Sequence, residues 1–386
     1  MIIERQLQQA IQQFSTKYPV LAITGPRQSG KTTMLKNLFQ DYQYVSLESP
    51  DMRDFALTDP KGFLQQYDKY VILDEIQRAP ALFSYIQTIV DEQKIMGQFV
   101  ISGSQNFQLM ERITQSLAGR VALFKLFPFD NTEMKSAGLL HEDYLKNLLR
   151  GFYPAIFDRD IPSKSFYSNY VQTYVQRDLT ELIAVKDLRA FRKFLGLCAT
   201  RAAQLLNLNA LANECGISQP TAKAWLSALE SSYIIFLLHP YFENFSKRII
   251  KSPKLYFYDS GLLAFLLNFS DPGQLITHPA KGSFFENMVI AEYVKQMHHT
   301  YSETDVWFWR DSAGHEIDLL TINADGMNLY EVKATQTIMN EMFINLDYFE
   351  GISGKSRLKK IVVYTGLEKQ ERSKGTILSW RDLVVD

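Results

Sequence analysis

Gly25-Pro26-Arg27-Gln28-Ser29-Gly30-Lys31-Thr32 is a complete G-x-x-x-x-G-K-[ST] phosphate-binding loop. Its two glycines let the backbone wrap closely around phosphate oxygens, so that successive N–H groups point inward. Lys31 is expected to place its charge between the β- and γ-phosphates of a nucleotide, and the Thr32 hydroxyl to ligate Mg²⁺. The flanking sequence supplies the right setting. Val20–Thr24 is a short apolar run that reads as a buried strand. The stretch from Thr32 through Thr33 to Phe39 reads as a helix, and strand, loop and helix are what the motif requires.

Working outward, four more strand candidates follow at Tyr44–Leu47, Tyr70–Leu73, Phe99–Ile101 and Val121–Leu126, with helical segments between them. Alternating β and α implies an α/β domain with a parallel sheet covered on both faces. The third strand ends in Asp74-Glu75, at the carboxyl edge where ligands of such sheets bind. Asp74 is the expected partner of Mg²⁺, and Glu75 the base that polarises the attacking water. The next strand runs into Ser102-Gly-Ser104, and either hydroxyl can sense the γ-phosphate; a plain turn explains the same residues. Arg120 lies just before the fifth strand and is placed to donate to a transferring phosphate, with Arg78 and Arg27 as rivals. ATP and Mg²⁺ are the cofactors these residues call for.

Composition bounds the rest. A chain of 386 residues exceeds what one core serves, so two or three domains are expected. The net charge of −1 gives no global sign of a nucleic-acid partner. Cys198 and Cys215 have no partner at metal-ligand spacing, and six histidines form no zinc pattern. A polar amino terminus unlike a signal peptide and the lack of an apolar run near roughly 20 residues lead us to expect a reduced, cytoplasmic protein with no membrane partner.

Gly25–Thr32, Leu73–Gln77, Ile101–Gln105 and Ser116–Arg120 together resemble a group of prokaryotic AAA-type ATPases. The resemblance continues through Gly151–Pro154 and Tyr174–Asp178. It implies an ATPase module followed by a carboxyl-terminal region of unassigned function, and it speaks to chemistry more than to biology.

A second pattern lies between Leu206 and Leu229. Leu208, Leu211 and Ala212 mark a short helix that ends at Gly216. Ser218 is an N-cap and Pro220 fits the first turn of the next helix, whose buried face is Ala222, Trp225, Leu226 and Leu229. This is a helix-turn-helix, with Gln219, Thr221 and Lys223 projecting from its recognition helix. Strands at Tyr233–Leu238 and Leu255–Tyr258 then flank a basic segment with Lys247, Arg248, Lys251 and Lys254, which resembles the wing of a winged helix binding double-stranded DNA. Winged helices also serve such chains as packing modules without nucleic acid.

From Gly282 the chain reads as a compact α/β unit. Asp318 lies on one strand and Glu331-Val-Lys333 on its neighbour; a turn at Ala324–Gly326 brings them together, and period two puts Glu331 and Lys333 on one face. Two carboxylates and a lysine suit a divalent ion and an oriented water, with Glu286 on the preceding helix as a further ligand. The pattern resembles the PD-(D/E)xK nucleases, with Glu316-Ile317 where a proline is expected. A salt-bridged cluster without metal is the alternative. The expected domains are an AAA-type P-loop ATPase at 1–135, a helical linker with winged helix at 136–280, and a restriction-endonuclease-like domain at 281–386. Function is expected to be ATP hydrolysis acting on DNA or a DNA-associated partner. The alternatives are an ATP-controlled signalling or defence switch that forms a homo-oligomer, and an ATP-regulated metal-dependent nuclease.

Overall fold

The computed structural model describes residues 3–104, 112–113, 115–175, 187–243, 250–355 and 357–385. Lys247 and Arg248 lie outside the described residues, as do Gln105 and residues 176–178 of the motifs quoted above.

Five parallel strands form the first sheet: β1 (Val20–Thr24), β2 (Gln43–Ser46), β3 (Val71–Asp74), β4 (Phe99–Ser102) and β5 (Val121–Lys125), in the order β2-β3-β4-β1-β5. Every residue of β1, β3 and β4 is buried, which is why these strands read as unbroken apolar runs. Period two splits β1 between two cores. Val20 and Ala22 join Leu73, Ile101 and Phe83 on one face, whereas Leu21 and Ile23 join Ile72, Val100, Leu7 and Leu35 on the other. Because all strands run the same way, Gly25, Asp74 and Ser102 emerge together at one edge.

The middle region holds two short helices, Leu208–Cys215 and Gln219–Ser231, joined across Gly216 at φ +73°. The Ser218 hydroxyl accepts from the Thr221 N–H at 3.2 Å and caps the second helix. A three-stranded antiparallel sheet accompanies them, built from β6 (Gln204–Leu205), β7 (Ile235–Leu238) and β8 (Lys254–Phe257) in the order β6-β8-β7. Where a wing was expected to face solvent, the described ends of the β7–β8 connection pack on the strand Asp305–Arg310. The Tyr241 N–H donates to Phe308 O at 2.7 Å, the Phe308 N–H to His239 O at 3.1 Å, and the Ile250 N–H to Arg310 O at 3.1 Å. Backbone groups at both ends of the connection are thus spent on a neighbouring sheet.

That sheet is mixed and six-stranded: β9 (Asp305–Arg310), β10 (Glu316–Asn323), β11 (Gly326–Lys333), β12 (Leu358–Tyr364), β13 (Gln370–Arg372) and β14 (Gly375–Ser379), ordered β13-β14-β12-β11-β10-β9. The β13–β14 hairpin was not anticipated from sequence. Gln370 to Arg372 are polar and largely exposed, so no apolar alternation marks them. The helix Lys281–His299 is buried along most of its length, and one apolar cluster runs from Phe127 to Leu383 through both regions.

Candidate functional site

The phosphate loop is shaped by steric necessity. Gly25 has φ +145°, and a Cβ there would lie 2.0 Å from the carbonyl oxygen of Leu126. Gly30, at φ +95°, precedes the helix Lys31–Leu38 and leaves its first N–H groups pointing into the loop. Lys31 is buried, and its ammonium donates to Gly25 O at 2.9 Å and Pro26 O at 2.8 Å. Burial lowers its pKa to about 8, against the pull of Glu75 and Asp74. The Ser29 hydroxyl is buried with no hydrogen-bond partner among the described residues.

Asp74 is the hub of the opposite wall. Its Oδ2 accepts from Thr32 Oγ1 and from the Tyr44 hydroxyl, each at 2.8 Å, and its Oδ1 accepts from Ser102 Oγ at 2.5 Å. Glu75 follows at φ +56°, a left-handed conformation unusual for a residue with a side chain. Its Oε2 accepts from Ser104 Oγ at 3.1 Å and from Gln77 Nε2 at 2.5 Å. The two serines therefore hold the two carboxylates. A cleft of about 620 Å³ opens here, lined by Lys31, Thr32, Asp74 and Glu75 on one side and by Ile3, Phe129, Pro154 and Phe157 on the other. Arg27, Gln28 and Thr33 also line it. A buried ammonium, an unpartnered serine hydroxyl and a threonine hydroxyl bonded to a carboxylate together fit a magnesium triphosphate.

Arg120 does not belong to this site. It precedes β5 and so sits at the amino edge of the sheet, about 15 Å of strand away from the loop. Asp91 holds it there, through contacts of 2.5 and 2.7 Å. Arg78 reaches Glu48 at 3.6 Å instead.

Two supports escaped the sequence reading. Arg5 lies beneath the loop, 4% exposed, and donates to Ser29 O, Phe127 O and Glu133 Oε1. The Tyr233 hydroxyl, from the middle region, is 2.7 Å from Thr24 Oγ1, one residue before Gly25. Arg5 reaches Ser29 across 24 residues and Phe127 and Glu133 across more than a hundred, and Tyr233 reaches Thr24 across more than two hundred; no local pattern signals them.

A second cluster of charge lies in the mixed sheet. The β10–β11 register pairs Leu319 with Tyr330, which leaves Asp318 beside Glu331. Asp318 Oδ2 accepts from the Val332 N–H at 2.8 Å, and Lys333 Nζ lies 2.5 Å from Glu331 Oε1. Glu286 and Glu316 complete an acidic group with Asp318, their carboxylate oxygens within 4.8 Å of one another. Glu316, which stands in the sequence where a proline is expected, is not among the expected ligands, although it lies two residues from Asp318 on the same face of the strand. Burial, then Glu286 and Glu331, raise the Asp318 pKa well above the usual carboxylate range; burial raises Glu331 as well.

Lys254 requires a correction. Expected on a basic wing, it is 2% exposed and donates to Glu286 Oε1 at 2.8 Å, with Glu316 also in contact. It begins a strand whose four residues are all buried, so its ammonium cannot reach a nucleic-acid backbone. Of the other basic-patch residues, Gln219, Lys223 and Lys251 are exposed. Thr221 is half-buried, its hydroxyl 2.8 Å from that of Ser218.

Among the described residues, no helix is long and apolar enough to cross a membrane. Residues 17–135 match the model of an AAA domain, and residues 141–273 and 281–383 match two domains of unknown function, DUF8612 and DUF4143. Among solved structures, the Walker-type ATPase PABY2304 of Pyrococcus abyssi is 13% identical, with a TM-score of 0.46, over 69% of this chain and 96% of that one. AMPPCP-bound DnaA from Aquifex aeolicus is 15% identical, with a TM-score of 0.26, over 58% of this chain and 85% of that one. Two curated mycobacterial proteins, the uncharacterized Rv2008c of Mycobacterium tuberculosis and Mb2031c of Mycobacterium bovis, are each 30% identical over 322 residues, 83% of this chain and 71% of theirs. The chain belongs to the family of these two proteins, with an AAA domain of P-loop ATPase fold at its head.

Proposed function

We propose that this chain hydrolyses ATP with Mg²⁺ and acts on DNA or on a DNA-associated partner. The observation that carries the first half is the Thr32–Asp74 hydrogen bond at 2.8 Å, beside Lys31 and Glu75 in one cleft. Thr32 and Asp74 are the residues that would hold Mg²⁺, which supplies positive charge where negative charge develops on the phosphates. Lys31 and the loop N–H groups bind the same oxygens. Glu75 orients the water that attacks the γ-phosphate, and Ser104 keeps that carboxylate aimed. Arg27, which lines the cleft, replaces Arg120 as the arginine for the transferring phosphate. The test is ATP binding and phosphate release by the full chain and by Lys31→Ala, with and without duplex DNA. Loss of both activities in the variant, and stimulation of the native chain by DNA, are expected. Normal hydrolysis by Lys31→Ala overturns the ATPase reading; absence of any DNA effect overturns the DNA half alone.

The acidic cluster favours a second reading, a restriction-endonuclease-like domain under ATP control. Glu331 Oε2 is buried with no hydrogen-bond partner among the described residues, beside Asp318 and Lys333, and an unpaired carboxylate oxygen of this kind suits a hard cation. The helix pair and small sheet of the middle region fit a winged helix used mainly for packing, with Gln219, Lys223 and Lys251 left to meet DNA. Mn²⁺-dependent nicking that Asp318→Asn abolishes supports this reading. Nicking unchanged in that variant removes it.

A further inference from the structure

The acidic cluster already contains a cation, and the chain segment before it supplies that cation. Lys254 opens β8 in the three-stranded sheet, yet its ammonium lies among carboxylates carried by the long helix and by β10. It is 2.8 Å from Glu286 Oε1, in contact with Glu316 Oε1, and 3.9 Å from Asp318 Oδ1. These are the same three residues whose oxygens converge closely enough to hold a metal ion. Tyr256, two residues along β8, donates to the same oxygen of Glu286 at 2.7 Å and fixes its side chain. The ammonium therefore stands where a divalent ion bridging the three carboxylates would stand.

Charge argues for exchange rather than joint occupancy. Glu286, Glu316, Asp318 and Glu331 face three cations, Lys254, Lys333 and Arg310. With all four carboxylates ionised, as metal binding requires, a divalent ion added to this set leaves excess positive charge; the same ion in place of Lys254 leaves none. Glu331, set beside Asp318 by the strand register and 4% exposed, has an Oε2 with no hydrogen-bond partner among the described residues, an independent sign that the acidic group is built for more than the lysines beside it.

We propose that Lys254 is a built-in competitor for a divalent cation at Glu286, Glu316 and Asp318, so that the site takes Mg²⁺ or Mn²⁺ only as β8 withdraws its ammonium. This rests on the acidic cluster being a cation site, as argued above. The ammonium neutralises the carboxylates in the resting chain, and its departure is what opens the site to metal.

The experiment is titration of MnCl₂ into the nucleotide-free full chain, followed by calorimetry and by thermal unfolding. Lys254→Met is expected to bind Mn²⁺ at least roughly tenfold more tightly than the native chain, and Mn²⁺ to raise its melting temperature. Lys254→Gln, which keeps a hydrogen-bond donor toward Glu286, is expected to do the same should Lys254→Met fold poorly. Lys254→Arg retains the charge and is expected to bind as weakly as the native chain. Adding Asp318→Asn to either neutral variant is expected to remove the gain. Equal Mn²⁺ affinity in the native chain and the neutral variants, lost in both on Asp318→Asn, overturns the competition while leaving the cation site in place. Mn²⁺ binding indifferent to Asp318→Asn in every background overturns the cation site itself.

Discussion

Arg5 Nη1 donates to the carbonyl oxygen of Ser29 at 2.8 Å, so a residue from the start of the chain carries the phosphate loop from beneath. The same guanidinium binds Phe127 O at 2.6 Å and Glu133 Oε1 at 2.9 Å, with both charged side chains buried. A buried ion pair stabilises little over an apolar substitute, yet removing one partner strands the other. Here it would also strand two carbonyls that have been taken out of water.

Arg5→Met is therefore expected to lower the unfolding free energy by about 3 kcal/mol and to weaken nucleotide binding by roughly tenfold. Urea unfolding and fluorescence titration with an ATP analogue read the two effects. Native affinity in a destabilised variant means that Arg5 supports the fold and not the loop.

The serines at the end of β4 divide their work between two acids. Ser102 holds Asp74 and Ser104 holds Glu75. Ser102→Ala is expected to raise the Mg²⁺ concentration needed for half-maximal turnover, because it frees an oxygen of the proposed metal partner. Ser104→Ala is expected to lower kcat several-fold, on the order of one lost hydrogen bond, with the Mg²⁺ requirement unchanged. Identical kinetic defects in the two variants contradict this division.

Glu292 gives the junction between regions a pH dependence. Its Oε2 accepts from the Asn131 N–H at 2.7 Å, and burial pushes its carboxyl up to about 7, although Lys295 is in contact with it. The folded chain thus holds this proton more tightly than the unfolded chain does. The resulting stabilisation is complete below the ordinary carboxylate range, and is lost as pH rises through about 7. Glu292→Gln keeps an acceptor for Asn131 and cannot titrate. Relative to the native chain it is expected to gain up to about 3 kcal/mol between about pH 5 and pH 8, measured by denaturant unfolding. Parallel pH profiles for the two proteins contradict the assignment.

Of the candidate DNA contacts in the middle region, Lys223 and Lys251 are exposed and Lys254 is not. Replacing Lys223 and Lys251 with alanine is expected to lower the slope of log affinity against log salt for duplex DNA by about two units. An unchanged slope, or no binding at low salt, removes this surface from the account.

The nucleotide cleft was legible because its parts are local. A phosphate loop, a strand ending in Asp74-Glu75 and a strand ending in serines each sit within a few residues, and a parallel sheet gathers all their ends at one edge. Arg5, Tyr233 and Phe157 were not legible, because their roles depend on contacts between distant parts of the chain. Arg120 is a different case. In a parallel sheet a residue just before a strand lies at the amino edge, and Arg120 precedes β5, so its place in the sequence already set it at the edge away from the loop. Lys254 misled through its neighbours: a run of cations reads as a solvated wing, whereas the last of them begins a buried strand opposite three carboxylates. The three carboxylates gathered around it come from two elements, and only the two-residue spacing of Glu316 and Asp318 is written locally.

In the proposed mechanism Glu75 orients the attacking water while Lys31 and Thr32 hold the nucleotide. Single-turnover hydrolysis by Glu75→Gln, beside equilibrium ATP binding by the same protein, tests it most directly. Binding within about threefold of the native chain, with hydrolysis slowed at least about a hundredfold, is the expected result. Hydrolysis at the native rate, or loss of ATP binding together with loss of hydrolysis, would contradict it.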